Sequence, residues 1–135
     1  MERFLKLDVD ADLLSPLTLA FIGDTVYDLL VREDIICGAN RPANDLHSLA
    51  VKKVKASAQA KAITDIMPQL TDKELAVYKR GRNAKSGHIA KNATTGDYHK
   101  ATGLEAVFGY LYLTDQFSRI VELYELIERC NENDR

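Results

Sequence analysis

The feature that most constrains this chain is a carboxylate set inside an apolar helical stretch near its N-terminus. Residues 15–33 have the composition of one long helix, with Ser15 suited to the cap and Pro16 to the first helical position. Because burying an unpaired carboxylate costs several kcal/mol, Asp24 must be protonated, hydrogen-bonded or bound to a cation. Its helical neighbours at steps of three, four and seven are Leu17, Ala20, Phe21, Tyr27, Asp28 and Val31.

The residue before this carboxylate is a glycine, which is costly inside a helix. Gly23 disfavours the helix by about 1 kcal/mol relative to alanine. A reason to keep a glycine at this position is that another backbone or a ligand comes close to it. The stretch therefore predicts a helix with a close contact beside its carboxylate.

A second carboxylate, Glu105, lies in a similar setting much later in the chain. Its helical neighbours carry no charge and again include a glycine, Gly109. Two such acids suggest a shared divalent cation, since Mg²⁺ prefers oxygen ligands from one or two carboxylates together with water. A buried hydrogen bond or a helix cap is the alternative for each acid, and their spacing leaves both interpretations open.

Charge is segregated along the chain, although the formal net charge is only −2. Residues 41–61 carry a net charge of +4 and residues 79–100 of +5, whereas residues 1–40 carry −5 and residues 101–135 carry −4. This pattern fits a basic surface for phosphates beside an acidic centre for a metal ion. The alternative is a set of solvated helix faces without a nucleic-acid partner.

Composition restricts the class of protein. The 135 residues are 46% hydrophobic and 28% charged, which is typical of one globular domain. Cys37 and Cys130 lack Cys-x-x-Cys spacing and are interpreted as reduced packing residues. No apolar run is long enough for a bilayer and the N-terminus does not resemble a signal peptide, so we expect a cytoplasmic protein without a membrane partner.

Helical periodicity covers most of the chain, and the few glycines and prolines favour helices over sheet. The first helix is predicted to end near Gly38 in the left-handed conformation. A second long helix is predicted from Pro42 to about Ile66, and a third begins at a capping box on Thr71 and loosens at Gly81.

The remaining elements are a loop, two helices and an N-terminal lead-in. Residues 85–97 show little periodicity and predict an exposed basic loop, with a disordered surface loop as the alternative. The helix carrying Glu105 should end near Thr114, and the last helix should pack through the apolar positions Ile120, Leu123, Tyr124 and Ile127. Residues 1–14 are expected to pack on the first helix.

Three segments resemble the ribonuclease III family. Residues 19–28, LAFIGDTVYD, resemble its signature helix, and residues 105–113, EAVFGYLYL, resemble its second acidic motif. Residues 80–86, RGRNAKS, are similar to the basic loop of its small branch, Mini-ribonuclease III. The resemblance implies an all-α, ribonuclease III endonuclease-domain-like helical bundle that forms a two-fold homodimer. It also implies a single catalytic domain over residues 1–135, without a separate double-stranded-RNA-binding domain.

The resemblance assigns roles to individual residues. It implies that Asp24 and Glu105 are catalytic and bind Mg²⁺, with Mn²⁺ as a substitute. Asp28 lies one turn beyond Asp24, and from that position it is expected to orient a water of the metal without binding the metal itself. Expected products are 5′-phosphate and 3′-hydroxyl ends on double-stranded RNA, and the expected substrate is the precursor of 23S (large-subunit) ribosomal RNA. The residues expected to contact RNA are Arg82, Asn83, Lys85 and Ser86, followed by Lys79, Arg80, Lys91 and Lys52.

The chain also departs from the full-length family pattern. Ala20 and Thr102 occupy positions where that family usually has acids, so two carboxylates remain where four are usual. This departure favours an alternative, a non-catalytic RNA-binding relative, and a helical interaction module without RNA is a third hypothesis. Asp45 is interpreted as favourable charge at a helix N-terminus. His47 lacks the partners of a zinc or HD-type site.

Overall fold

The computed structural model describes residues 1–84 and 94–134. Within these ranges the chain is helical and has no strand, which confirms the predicted all-α class. Short 3₁₀ helices lie at Ala11–Leu13 and Met67–Gln69. The α-helices are α1 (Pro16–Gly38), α2 (Ala43–Val54), α3 (Ala56–Ile66), α4 (Asp72–Asn83), α5 (Thr95–Leu113) and α6 (Phe117–Asn133).

The central element is α5, which packs on α1, α3, α4 and α6. Its residues from 101 to 111 are buried, except that Glu105 is only partly buried. An aromatic cluster fills the space between three helices, with ring centroids 5.1 Å apart for Tyr27 and Phe108 and 6.0 Å apart for Tyr27 and Tyr124. A helix buried on nearly every side must satisfy any polar group locally, which makes Glu105 conspicuous.

Two helix starts are as predicted. The Ser15 hydroxyl accepts a hydrogen bond from the Thr18 amide, and Pro16 occupies the first turn of α1. At α4, Thr71 and Glu74 form both hydrogen bonds of a capping box. These local signals therefore position the N-terminal ends of both helices.

The predicted second helix is wrong in one respect, because it is two helices that meet at Lys55. Lys55 has an extended backbone (φ −61°, ψ 154°) and serves as the boundary of both α2 and α3. The break frees the Val54 carbonyl from the helical pattern, and the side-chain amide of Gln59 donates to it at 2.9 Å. A local side-chain-to-backbone hydrogen bond thus stabilises a break that contains neither glycine nor proline.

Two loop boundaries also differ from expectation. Among the described residues no glycine has a positive φ, so the predicted left-handed stop at Gly38 is wrong and α1 ends instead on extended Ala39. The basic loop was predicted to reach residue 97, whereas α5 begins at Thr95 because Thr94 caps it by accepting from the Asp97 amide. Most of the predicted loop, residues 85–93, lies outside the described residues.

The N-terminal lead-in packs less than predicted. Ala11 is buried, but most of the apolar side chains before it are exposed. Ion pairs hold the segment instead, from Lys73 Nζ to Asp12 Oδ1 at 2.7 Å and from Arg3 Nε to Asp115 Oδ1 at 3.4 Å. None of the described helices is both long and apolar enough to cross a bilayer.

Candidate functional site

The site is built on a backbone contact between α1 and α5. A Cβ atom built on Gly23 would lie 1.6 Å from the carbonyl oxygen of Glu105, and one built on Gly109 would lie 1.9 Å from the carbonyl oxygen of Leu19. Only glycine fits at either position. The predicted close approach at Gly23 is confirmed, but its partner is α5 of the same chain.

This contact brings together the two carboxylates that the sequence singled out. The carboxyl group of Glu105 lies within hydrogen-bonding reach of the Asp24 carboxylate. Burial and the neighbouring Asp24 raise the pKa of Glu105 to about 9. Asp24 itself is exposed, so the expected burial of its carboxylate is wrong, and Glu105 is the more buried member of the pair. The pair therefore opens to solvent on the Asp24 side.

The two neighbouring carboxyl groups repel each other when both are ionised, and a cation that binds both would relieve this repulsion. The pair offers only oxygen donors, the ligand type that Mg²⁺ selects. No group of three or more His, Cys, Asp or Glu arranged to bind a metal occurs in residues 1–84 and 94–134. Asp24 and Glu105 are therefore the two residues that would hold a divalent cation here, with oxygen donors of the type such an ion prefers.

Ala20 and Thr102 occupy the positions where the family usually has further acids, and neither side chain offers a substitute ligand for a metal. Ala20 is buried and has no polar side-chain group. Thr102 is also buried, and its hydroxyl donates to the Tyr98 carbonyl oxygen at 3.0 Å. Both side chains act as packing residues, so the reduced acid set read from the sequence is also the set found in the fold.

Asp28, predicted to orient water near the metal, is engaged with its own helix. Its Oδ2 accepts from Arg32 Nε at 3.0 Å, one turn further along α1. The carboxylate is about one-third exposed. This i,i+4 ion pair directs Asp28 toward Arg32, and its role near a metal stays a prediction.

Gln59 is a site residue that sequence reasoning missed. It is 2% exposed in α3, and its side-chain amide interacts with the carboxyl group of Glu105. A signal was present in the sequence, because Gln59 is a polar residue in the apolar series that continues through Ile63 and Ile66. A buried amide is costly for the same reason as a buried carboxylate, so the position of Gln59 in this series indicates a compensating contact.

The C-terminal end of α4 carries basic side chains and packs against the part of α5 that contains Glu105. A Cβ atom built on Gly81 would lie 2.9 Å from both the Gly103 Cα and the Ala106 Cβ. This contact fixes the end of α4 against α5 next to Glu105. Around it, Lys79 and Arg80 are exposed.

The last two residues of α4 are also predicted RNA contacts. The Arg82 guanidinium lies over the Tyr78 ring, with its carbon 5.5 Å from the centroid. Arg82 Nε donates to Asn83 Oδ1 at 3.2 Å. Three further predicted RNA contacts, Lys85, Ser86 and Lys91, lie outside the described residues.

The other basic segment is weaker than its sequence charge indicates. Lys53 Nζ pairs with Glu128 at 2.7 Å and with Asp34 at 3.4 Å, and Lys61 pairs with Asp65 at 2.6 Å. Lys52 is exposed and forms no ion pair within the described part of the chain. Ion pairs therefore neutralise two of the four lysines of this segment, Lys53 and Lys61, within the described part of the chain.

Comparison with known proteins supports this arrangement. The sequence profile of the Ribonuclease III domain matches residues 17–116. The chain is 47% identical to Mini-ribonuclease 3 of Thermoanaerobacter sp. (strain X514), covering 84% of this chain and 80% of that protein. It is 47% identical to Mini-ribonuclease 3 of Brevibacillus brevis over 89% of this chain and 90% of that protein. It is 43% identical to Mini-ribonuclease 3 of Clostridium tetani over 98% of this chain and 90% of that protein.

A solved structure has the same fold. The X-ray crystal structure of a Fusobacterium nucleatum protein superimposes with a TM-score of 0.78 at 26% sequence identity. The match covers 84% of this chain and 92% of that protein. The helical fold of this chain therefore also occurs in an experimental structure.

Proposed function

This chain belongs to the ribonuclease III family, in its Mini-ribonuclease 3 branch, and on that premise we propose that it is a Mg²⁺-dependent endoribonuclease for double-stranded RNA. The observation that carries the proposal is the contact between the Asp24 and Glu105 carboxyl groups. Residues some eighty positions apart meet where α1 and α5 touch, at a point that opens to solvent.

The two carboxylates have complementary parts in this proposal. Glu105 is held in the fold by α5 and presents its carboxyl toward Asp24, while the exposed Asp24 faces the side from which a substrate arrives. When bound between them, Mg²⁺ would lower the pKa of a coordinated water and offset negative charge on the phosphate in the transition state. Hydrolysis by a water in line with the leaving oxygen yields 5′-phosphate and 3′-hydroxyl ends.

The basic end of α4 is the proposed RNA-binding element. Lys79, Arg80 and Arg82 are carried by the turn that Gly81 fixes against α5. Duplex RNA is recognised mostly through its shape, its phosphates and its 2′-hydroxyls, so a compact basic surface can bind it. We expect binding to weaken steeply with salt, because each phosphate contact releases counterions.

We propose that the chain forms a homodimer, with the exposed apolar face of α1 as the interface. Phe21 is 81% exposed, and Leu17 is also exposed, at three and seven residues before Asp24 on the same helix face. An apolar face of this kind on a soluble helix favours an interface. Two-fold pairing through it would bring two catalytic centres to one duplex, so that both strands can be cut.

The proposed natural substrate is the precursor of 23S ribosomal RNA in the cytoplasm. Support for this part is the resemblance to Mini-ribonuclease III and the 41–47% identity to several proteins of that name. Mapping the ends of 23S precursors in cells that lack the protein tests it. Unprocessed ends are expected, and normal ends would contradict the assignment.

Incubation of the purified protein with a long RNA duplex tests the enzymatic function. We expect cleavage with Mg²⁺ or Mn²⁺, none with EDTA, and little cleavage of a matched single strand. Ligation-based end analysis should find 5′-phosphates. Salt-dependent duplex binding without any cleavage would instead support a non-catalytic RNA-binding relative, the alternative that Ala20 and Thr102 favour.

A further inference from the structure

Gln59 is a buried polar residue whose surroundings are not explained by core packing alone. It is 2% exposed, and α3, which carries it, packs directly on α5. A buried amide is costly unless its donors and acceptor are paired. The partners of the two ends of the Gln59 amide therefore show what the residue does.

The side-chain nitrogen of Gln59 carries two N–H donors, and each needs an acceptor. One donates to the Val54 carbonyl oxygen at 2.9 Å, the carbonyl that the break at Lys55 leaves without a helical partner. The amide also interacts with the Glu105 carboxyl group. Because its first bond fixes the nitrogen, the second N–H has a defined position relative to that carboxyl.

The oxygen end is unpaired. Gln59 Oε1 is buried and has no hydrogen-bond partner within the described part of the chain. An unsatisfied buried acceptor costs about 1–3 kcal/mol, so a fold that needed only to fill this space would be served better by an apolar residue. An orphaned acceptor on a side chain that interacts with the Glu105 carboxyl group fits a site that receives water.

We propose that Gln59 is a positioning residue of the catalytic site: its amide nitrogen, anchored on Val54, donates to Glu105 and turns that carboxylate toward Asp24, while Oε1 accepts from a water of the site. This inference rests on the proposed function and deepens it, because it adds a group that orients one ligand of the cation. Groups that orient ligands in this way raise metal affinity without touching the metal.

Gln59→Met is the test variant, since methionine has the same length but lacks both amide groups. Ile63→Val is the matched control, because Ile63 is fully buried one turn further along α3 and the change costs about 0.5–1.5 kcal/mol. Thermal melts establish that both variants fold. Mn²⁺ is then titrated into each RNA-free protein by calorimetry, with Asp24→Asn as the background for weak surface binding.

We expect Gln59→Met to weaken Mn²⁺ binding by about 10-fold or more, as loss of a group that orients a metal ligand typically does. Ile63→Val should bind as the wild type does. In cleavage assays, Gln59→Met should need more Mg²⁺ for half-maximal rate, with KM for the duplex unchanged at saturating Mg²⁺. Equal Mn²⁺ affinity in Gln59→Met and wild type would overturn the proposal.

The two proposals fail in different ways. If the wild type itself binds no Mn²⁺ above the Asp24→Asn background, the metal site is wrong, and Gln59 has no ligand to orient. If Gln59→Met does not fold, the role of Gln59 is tested in the wild type, by recording the NMR signals of its side-chain NH₂ group in ¹⁵N-labelled protein. They should shift on Mg²⁺ addition, and signals that stay unmoved would overturn the role of Gln59.

Discussion

The α1 backbone at Gly23 touches the backbone of Glu105, since a Cβ atom on Gly23 would lie 1.6 Å from the Glu105 carbonyl oxygen. The residue before one carboxylate thus contacts the residue that carries the other. The relative position of the two backbone segments that carry the acids is therefore set by a direct contact between helices. The following predictions depend on this contact and on the groups around it.

Gly23→Ala should destabilise the protein strongly. The added methyl group meets backbone atoms of Glu105 and Gly109, which cannot move aside as a flexible side chain can. The expected loss exceeds about 3 kcal/mol, at the upper end of overpacking costs. Gly38→Ala is the control, because a Cβ there meets nothing within 4 Å, and its stability should stay equal or rise slightly. Urea denaturation of both variants measures the difference, and similar stabilities would contradict the close contact.

The carboxylate pair should make the metal-free protein less stable at high pH. Burial and Asp24 raise the pKa of Glu105 from 4.5 to about 9, so between these values the folded state holds a proton that the unfolded state has lost. The free energy of unfolding therefore falls as pH rises through this window.

Glu105→Gln removes this titration and should become progressively more stable than wild type from about pH 5 to about pH 9. Denaturation in EDTA at a series of pH values measures the difference in free energy of unfolding between Glu105→Gln and wild type. Glu33→Gln is the control, because Glu33 is exposed. Added Mg²⁺ should restore wild-type stability most at the high-pH end, by mass action. Parallel stability curves for wild type and Glu105→Gln would show that the pair is not coupled as described.

Phe21→Asp should convert a dimer into a monomer that still folds. Phe21 is 81% exposed, so a charge there costs little in the isolated chain but is unfavourable in an apolar interface. Light scattering after size-exclusion chromatography measures the mass. Val121→Asp on α6 is the control, because Val121 is also an exposed apolar residue. If Phe21→Asp and wild type have the same mass, the proposed α1 interface is incorrect.

Arg119 should be essential for stability through its bond to a buried carboxylate. Arg119 Nε and one terminal nitrogen each lie 2.9 Å from an oxygen of Glu74, which is 4% exposed and also closes the α4 capping box. Arg119→Met leaves that carboxylate buried without its cation, at a cost of about 3 kcal/mol. Glu74→Gln keeps a neutral acceptor for the Thr71 amide and should cost less.

The same pair has a pH dependence of opposite sign to that of Glu105. Burial opposes ionisation of Glu74, but the hydrogen bonds from Arg119 and the Thr71 backbone outweigh it and lower its pKa below the usual glutamate value. Its stabilising contribution is present at neutral pH and lost as pH falls through that lowered pKa. Acid denaturation of wild type and Arg119→Met should therefore converge at low pH, and a constant difference would contradict the pairing.

Much of this site followed from the sequence, for specific physical reasons. A glycine inside a helix and an acid on an apolar stripe are both costly, so each indicated a compensating contact, and the contact at Gly23 is present. The capping residues Ser15 and Thr71 gave helix starts because capping is local chemistry. The meeting of Asp24 and Glu105 needed the family resemblance, since spacing carries no long-range information.

Other features depend on contacts that helical periodicity does not show. The break at Lys55 contains no helix breaker and is stabilised by a hydrogen bond from the Gln59 side-chain amide to the Val54 carbonyl oxygen. Helical phase placed Asp24 on an apolar stripe but did not show that this part of the stripe faces solvent. Lysines 53 and 61 were counted as a basic surface, whereas carboxylates of the same chain neutralise them in the fold.

Duplex cleavage by Asp24→Asn tests the central claim most directly. The variant keeps the shape of the side chain and should fold, dimerise and bind RNA as the wild type does, while its cleavage rate with Mg²⁺ falls by more than about a thousandfold. Glu33→Gln on the same helix should cleave at the wild-type rate. Cleavage by Asp24→Asn within a few-fold of wild type would remove Asp24 from the chemistry and contradict the assignment of the carboxylate pair as the catalytic centre.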